Sequence, residues 1–235
     1  NEQAKKFEKI ANSVQMKVTE VKIQPQVLLN KPARTVFHEI PSRQNIDFAI
    51  GASLPLSIHD ADFPALTMGI AILGKWGGFA GRLMSTVREK EGLTYSIYAR
   101  AENFYRSEHG QWRIFTFFAP EKALQGVTST LREITSIFKK GVTESELAAF
   151  KRIVKTQELL SHDSLVGYTG KIHGYHVLGL SPSEIDSLLK KQDELTVAEV
   201  NAAVKKYLNP KTLTVSAAGP IKTVKKELSS LLGTV

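Results

Sequence analysis

Three helix-start signatures divide the second half of the sequence. Each is a capping box, in which a Ser or Thr is followed three residues later by Glu: Thr143 with Glu146, Ser181 with Glu184, and Thr196 with Glu199. In such a box the two side chains satisfy backbone N–H groups that the first helical turn leaves unpaired. Most of the second half must therefore be helical, which confines the strands to the first half and to one late segment.

Runs of apolar, aromatic and β-branched residues mark those strands at 36–40, 46–51, 94–101, 112–119 and 213–217. The turn-like residues Ser107 to Gly110 predict that the third and fourth runs form a β-hairpin. Leu124, Val127, Leu131, Ile134 and Phe138 recur at helical spacing and predict one buried helix face, ended by Gly141. This order predicts an α+β domain with a mostly antiparallel sheet covered on one face by helices.

The first part of the chain follows a different pattern. Residues 2–13 predict a short amphipathic helix with Phe7 and Ile10 turned inward, and a polar, proline-containing stretch to residue 33 resembles a linker. A further helix is expected over 60–73, started by Asp60 or Asp62 as N-cap. It leads into a glycine-rich break at 74–78 and a second helical pattern at 82–90.

The composition excludes several classes of protein. The chain has no cysteine, which excludes disulfides and thiol nucleophiles, and no apolar run approaches the ~18 residues of a membrane span. Lys and Arg number 31 against 23 Asp and Glu, for a net charge of +8. A basic chain invites comparison with nucleic-acid binders. Most of the lysine pairs, however, fall late in predicted helices, where cations interact favourably with the helix dipole, so we expect no nucleic-acid partner.

The sequence holds no recognisable zinc site of its own. None of its six histidines belongs to a His-x-x-Glu-His motif, and no Gly-x-Ser-x-Gly nucleophile motif occurs. His173 and His176 lie three residues apart on a predicted helix, but no carboxylate lies within a turn of them. We therefore interpret them as helix-surface residues and expect no metal to be bound by this chain.

The segment 78–81, Gly-Phe-Ala-Gly, matches the Gly-x-x-Gly loop of KH RNA-binding modules, with Arg82 beside it. Four-residue matches of this kind arise often by chance. Glycines that allow the chain to turn between two helices explain the segment more simply, and RNA binding stays an alternative.

Arg88 and Tyr95 are the residues with the clearest chemical potential. Arg88 lies near the end of the helical pattern at 82–90, and Tyr95 lies on the strand that leaves it, so a turn at Gly92 allows the two side chains to converge. A guanidinium and a phenol could together donate hydrogen bonds to a carbonyl or an oxyanion. An exposed Arg and an ordinary half-buried strand Tyr would give the same pattern, and the residues alone favour that interpretation.

The surrounding motifs carry a family resemblance. They are Asp62-Phe63-Pro64-Ala65-Leu66, Leu73-Gly74, Gly77-Gly78-Phe79, Arg82-Leu83 and Arg88-Glu89-Lys90-Glu91-Gly92-Leu93-Thr94-Tyr95-Ser96, with further matches to residue 220. In these motifs the chain resembles the pitrilysin/insulinase family of zinc metallopeptidases, including the bacterial zinc proteases akin to the mitochondrial processing peptidase. The sequence departs from the family pattern at Gly81, where Ser is usual, and at Lys75-Trp76, which interrupt the usual glycines.

The resemblance implies a role for this chain. Residues 1–33 would be the helix and linker that end a preceding domain, and 34–235 the second domain, which lacks the zinc motif. Arg88 and Tyr95 match the Arg/Tyr pair that holds the peptide carbonyl and stabilises the tetrahedral intermediate. Zinc would be bound by another domain or subunit.

The expected partners are therefore a peptide substrate and that zinc-bearing domain or subunit, in a full-length protein that forms a dimer. Analogy with relatives favours the bacterial periplasm over the cytoplasm. The alternative is a non-catalytic scaffold or peptide-binding subunit of the same fold. This chain alone is expected to be inactive.

Overall fold

A computed structural model describes residues 2–13, 34–75, 80–104 and 109–233. These residues form one five-stranded sheet in the order β1-β5-β2-β4-β3. The strands are β1 (Arg34–Glu39), β2 (Ile46–Leu54), β3 (Ile97–Glu102), β4 (Gly110–Phe118) and β5 (Thr214–Gly219). The α+β class is confirmed. The sheet is mixed rather than mostly antiparallel, because β1 runs parallel to β5 while the other neighbours are antiparallel.

The helices follow the sequence signals closely. They are α1 (Glu2–Ser13), α2 (Phe63–Gly74), a π-helix (Met84–Lys90), α3 (Ala123–Lys140), α4 (Glu144–Ser161), α5 (Leu165–Val177), α6 (Pro182–Glu194), α7 (Val197–Tyr207) and α8 (Lys225–Leu232), with short 3₁₀ turns at Pro120–Lys122 and Pro210–Thr212. All three capping boxes form with both reciprocal hydrogen bonds. Gly141 ends α3 with a φ of 72°, as its position predicts.

Strand alternation gives the sheet one fully buried face. In β2, Ile46, Phe48 and Ile50 are buried, while the residues between them are half-buried. Trp112 and Ile114 extend this buried face along β4. Helices α2 and α3 contact the sheet and α7 packs on α2, so the core lies between the sheet and a helical layer.

Several sequence expectations are wrong in detail. Phe7 and Ile10 are 73% and 54% exposed, because no described part of the chain covers α1. Leu124 is also exposed, since the buried face of α3 is centred on Val127 and Ile134. Asp62 precedes α2 but makes no capping bond, because its carboxylate instead accepts hydrogen bonds from the side chains of α7.

Some expectations fall outside the described residues. These are the linker before residue 34, most of the hairpin turn before Gly110, and residues 78 and 79 of the glycine-rich loop. The hairpin itself is confirmed, since Ile97 pairs with Thr116 in an antiparallel register. Across the ranges given above, no helix is both long enough and apolar enough to span a membrane.

Candidate functional site

A π-helix and a sharp turn connect α2 to the edge strand β3. The π-helix ends in widened turns, in which Glu91 N–H donates to Thr86 O at 3.0 Å and Leu93 N–H donates to Val87 O at 3.1 Å. Gly92 follows with a φ of 61°, a left-handed conformation that glycine adopts without steric cost. The chain therefore reverses directly after Arg88, and the next segment returns past it.

The start of the π-helix depends on another glycine. Gly81 has a φ of 106°, and a Cβ built there would lie 2.8 Å from Gly74 Cα at the end of α2. A serine at position 81, which is usual in the family pattern, would bring its Cβ too close to that backbone. The departure at Gly81 thus accompanies an unusually close approach of the two helices.

Arg82 fixes the π-helix to the helical layer. Its guanidinium makes a bidentate pair with the Glu146 carboxylate, at 2.7 and 2.8 Å, and donates a third bond to Gly141 O at 2.7 Å. Burial raises the pKa of Glu146, but the hydrogen bonds from Arg82 and Thr143 outweigh it, so the pKa lies below its ordinary value. Sequence reasoning identified Glu146 only as a capping residue, because no local signal links positions 64 residues apart.

The segment that carries Tyr95 is held on both sides. Thr94 Oγ1 donates to Phe117 O at 2.6 Å, and Thr116 Oγ1 donates to Ser96 O at 3.1 Å. Tyr95 lies between these anchors, two residues before β3 begins rather than on the strand as expected. Its side chain points outward and is 71% exposed.

The structure brings Arg88 and Tyr95 together. Arg88 Cζ lies 5.1 Å from the centroid of the Tyr95 ring, within the range of a cation–π contact. Arg88 is half-buried and its Nη1 also lies 3.7 Å from Met84 Sδ. The side chain of Arg88 therefore contacts both Met84 of its own π-helix and the exposed ring of Tyr95.

The Arg88–Tyr95 pair presents hydrogen-bond donors, and neither side chain is a carboxylate. A guanidinium has five N–H donors in a fixed plane, and a phenol adds one O–H donor. Such donors suit a peptide carbonyl, and they suit a developing oxyanion better because charge-assisted hydrogen bonds are stronger.

The described residues contain no metal site. No group of three or more His, Asp or Glu side chains among them could hold a metal ion. His173 and His176 are both exposed on α5. These residues do not fit a zinc ion, so no chemical step of a metal is assigned to them.

The basic residue on which the RNA-binding alternative depends is engaged within the fold. Arg82, next to the Gly-x-x-Gly segment, is instead bound to Glu146 and Gly141. The glycine of this segment that the structure describes, Gly81, serves the close approach to α2.

Comparison with known sequences agrees with these features. Residues 1–154 match the family model described as the peptidase M16 inactive domain. A non-peptidase homologue of Helicobacter pylori, YmxG, is 29% identical over 166 residues, covering 68% of this chain and 37% of its own length. An uncharacterized zinc protease of Mycobacterium tuberculosis is 24% identical over 203 residues, covering 77% and 44%. The chain thus spans less than half the length of these relatives.

Solved structures share the fold. A peptidase M16 inactive domain from Pseudomonas fluorescens superposes with a TM-score of 0.70 at 28% identity, over 80% of this chain and 44% of that chain. A protease from Helicobacter pylori superposes with a TM-score of 0.75 at 16% identity, over 93% and 52%. The family match covers well over half of the sequence and includes Arg88 and Tyr95. The chain therefore belongs to the peptidase M16 family as its inactive domain, which confirms the resemblance to the second, zinc-motif-lacking domain of pitrilysin-type zinc metallopeptidases.

Proposed function

We propose that this domain binds an extended peptide and helps to stabilise the tetrahedral intermediate at a zinc site carried by another domain or subunit. Arg88 and Tyr95 would donate hydrogen bonds to the carbonyl oxygen of the bond that is cleaved. The full-length protein would act as a dimer. Zinc held elsewhere would supply the activated water, and this domain would supply binding, orientation and charge stabilisation.

One observation carries the proposal, namely the 5.1 Å contact between the Arg88 guanidinium and the ring of an exposed Tyr95. Exposed tyrosines on flexible loops are poor catalytic donors, because a donor must be held in place before charge develops. Tyr95 instead lies between two segments hydrogen-bonded to β4. The turn behind it is also anchored, since Lys122 Nζ donates to Gly92 O at 3.0 Å.

The two donors would have different tasks. The half-buried Arg88 is positioned by the π-helix and offers a planar fork of donors, so it would bind the carbonyl in the ground state as well as in the transition state. The phenol at the surface would contribute mainly as charge develops on the oxygen. We therefore expect loss of Arg88 to affect KM and kcat together, and loss of the Tyr95 hydroxyl to affect kcat.

Tyr95→Phe in the assembled zinc-containing enzyme tests this assignment. Removing one donor to an oxyanion typically lowers kcat by a factor of about 10²–10³, so we expect a loss of that size with KM nearly unchanged. Steady-state peptide hydrolysis and the zinc content of the same preparation are the two measurements, and zinc content should not change.

Tyr98→Phe is the matched control. Tyr98 lies on β3, three residues along the chain, and packs against Phe115 with ring centroids 5.7 Å apart. It should retain the activity of the unmodified enzyme. Equal activity of Tyr95→Phe and Tyr98→Phe would contradict the proposed role of Tyr95.

The second candidate is a non-catalytic peptide-binding or scaffold subunit of the same fold. The similarity to a non-peptidase homologue favours it. In that case Arg88→Met would weaken peptide binding, measured by fluorescence anisotropy of a labelled extended peptide, whereas Tyr95→Phe would leave any partner's turnover unchanged. A catalytic role predicts that turnover falls in both variants.

A further inference from the structure

A cavity of about 280 Å³ lies in the helical layer, between α2, α4, α5 and α6. Neither Arg88 nor Tyr95 lines it. The polar side chains of its lining are Thr67, Lys75, Gln157, Glu158, Ser161, Lys171, Tyr175 and Gln192. Helices α2, α4, α5 and α6 thus each direct polar side chains into one small space, although a cavity in a helical layer is usually lined by apolar groups.

The cavity lining contains two lysines and one glutamate. The Lys171 ammonium is paired with the Glu158 carboxylate. Lys75 has no such partner, since within the described ranges no side chain or carbonyl forms an ion pair or hydrogen bond with its ammonium. The pKa of both Lys75 and Lys171 is lowered, because the surrounding protein shields each ammonium partly from water. An anion beside Lys75 would compensate a cation for which the described side chains supply no counter-charge.

The other polar groups add hydrogen-bond donors. Burial raises the pKa of Tyr175, so its hydroxyl remains a protonated donor. Gln157 and Gln192 contribute side-chain amides. A net charge of one together with several neutral donors suits a monoanion with two acceptor oxygens. A phosphate dianion fits less well, because its second charge would face Glu158.

The remaining wall is apolar. It includes Met68, Val154 and Leu189, which a hydrocarbon group of a few carbons could contact. The volume is near the lower end of the range for ligand pockets, so the occupant must be small.

We propose that this cavity binds a monocarboxylate with a short branched apolar body, with Lys75 holding the carboxylate. Two sources share this chemistry, namely a free short-chain acid and the C-terminal residue of a peptide. The two lysines would then have separate tasks. Lys171 neutralises Glu158, and Lys75, which no described side chain pairs, binds the ligand.

Isothermal titration of the 235-residue chain with three probes tests the proposal. Isovalerate represents the free acid, N-acetyl-L-leucine represents the peptide terminus, and N-acetyl-L-leucinamide has the same body without the charge. We expect saturable binding of at least one carboxylate and at least tenfold weaker binding of the amide. Tighter binding of isovalerate would indicate a free acid, and tighter binding of N-acetyl-L-leucine would indicate a peptide terminus.

Two substitutions locate the site. Lys75→Met should weaken carboxylate binding at least tenfold, whereas Lys190→Met should not, because Lys190 is an exposed lysine of α6 outside the cavity. Lys75→Arg keeps the charge and should retain part of the affinity, so it tests the site if Lys75→Met fails to fold. Equal affinities for acid and amide, unchanged binding in Lys75→Met, tighter binding of inorganic phosphate, or no saturable binding would each overturn the proposal.

Discussion

At the scale of single residues, the glycines on either side of the π-helix are required for different physical reasons. Both have positive φ angles, 106° at Gly81 and 61° at Gly92. A Cβ at Gly81 would collide with the backbone of Gly74, whereas nothing lies within 4 Å of a Cβ at Gly92. Gly81 is therefore required for packing as well as for conformation, and Gly92 for conformation alone.

Alanine substitutions should separate these two effects. We expect Gly92→Ala to lower the free energy of unfolding by about 1–2 kcal/mol, the usual penalty of the left-handed conformation. Gly81→Ala adds a steric clash and should lower it by more, about 3 kcal/mol or above. Urea denaturation of both variants measures the difference, and equal losses would argue against the close approach of Gly81 to Gly74.

The Arg82–Glu146 pair makes stability depend on pH. Because the pKa of Glu146 is lowered in the folded state, its contribution is fully present above the ordinary glutamate pKa of about 4.3 and is lost as pH falls through the folded-state value. Glu146→Gln keeps a residue suited to the capping box but removes the charge.

We expect Glu146→Gln to lower the free energy of unfolding by about 1–2 kcal/mol at pH 7, since both side chains are largely but not fully buried. The difference from the unmodified chain should shrink as the pH is lowered below about 4. Denaturation midpoints across pH 3–7 test this. A difference that stays constant with pH would mean that the charge of Glu146 is not what stabilises the fold.

At the scale of elements, α5 is held differently from α3, which buries a full apolar face. None of its side chains is fully buried. The polar Lys171 faces the cavity, while Leu165 and Val166 are 78% and 82% exposed. The helix is therefore held by its caps and by its polar inner side rather than by an apolar stripe.

Hydrogen exchange should reveal this difference. Three glycines weaken α5 further, since each is less favourable than alanine in a helix by about 1 kcal/mol. We expect its amides to exchange at least tenfold faster than those of α3, which buries a full apolar face. Mass-spectrometric exchange on the 235-residue chain measures both helices at once. Equal protection would show that α5 is stabilised by more than the contacts described.

At the scale of the whole molecule, the sheet joins distant parts of the chain. The late strand β5 lies between β1 and β2, pairing in parallel with one and antiparallel with the other. The late strand β5 therefore joins β1 to the rest of the sheet. By contrast, α1 exposes Phe7 and Ile10 and contributes nothing to the buried core.

Two truncations test this division and the predicted boundary at residue 34. Deleting residues 1–33 should leave the cooperative thermal transition within about 2 °C of the full chain, because the part of that segment that the structure describes, α1, adds no side chain to the buried core. Deleting residues 214–233 removes the strand between β1 and β2 and should abolish the transition. A large loss of stability in the first variant would refute the boundary. Circular dichroism is sufficient for both measurements.

The sequence by itself determined the local structure and the family. Capping boxes, helical periodicity and strand alternation depend on neighbouring residues, so they predicted α4, α6, α7 and the β3–β4 hairpin. The motif around Arg88 and Tyr95 was long enough to identify the family. Local signals of this kind could not predict the parallel pairing of β1 with β5, because it joins segments about 180 residues apart.

Only the tertiary structure decided which side chains meet. The Arg82–Glu146 pair and the grouping of Lys75, Glu158 and Lys171 around one cavity each depend on how several elements pack against one another. The turn at Gly92 allowed Arg88 and Tyr95 to converge, but only the folded chain fixes their 5.1 Å contact. No periodicity records such contacts, because their energy comes from burial and geometry that exist only once the chain has folded.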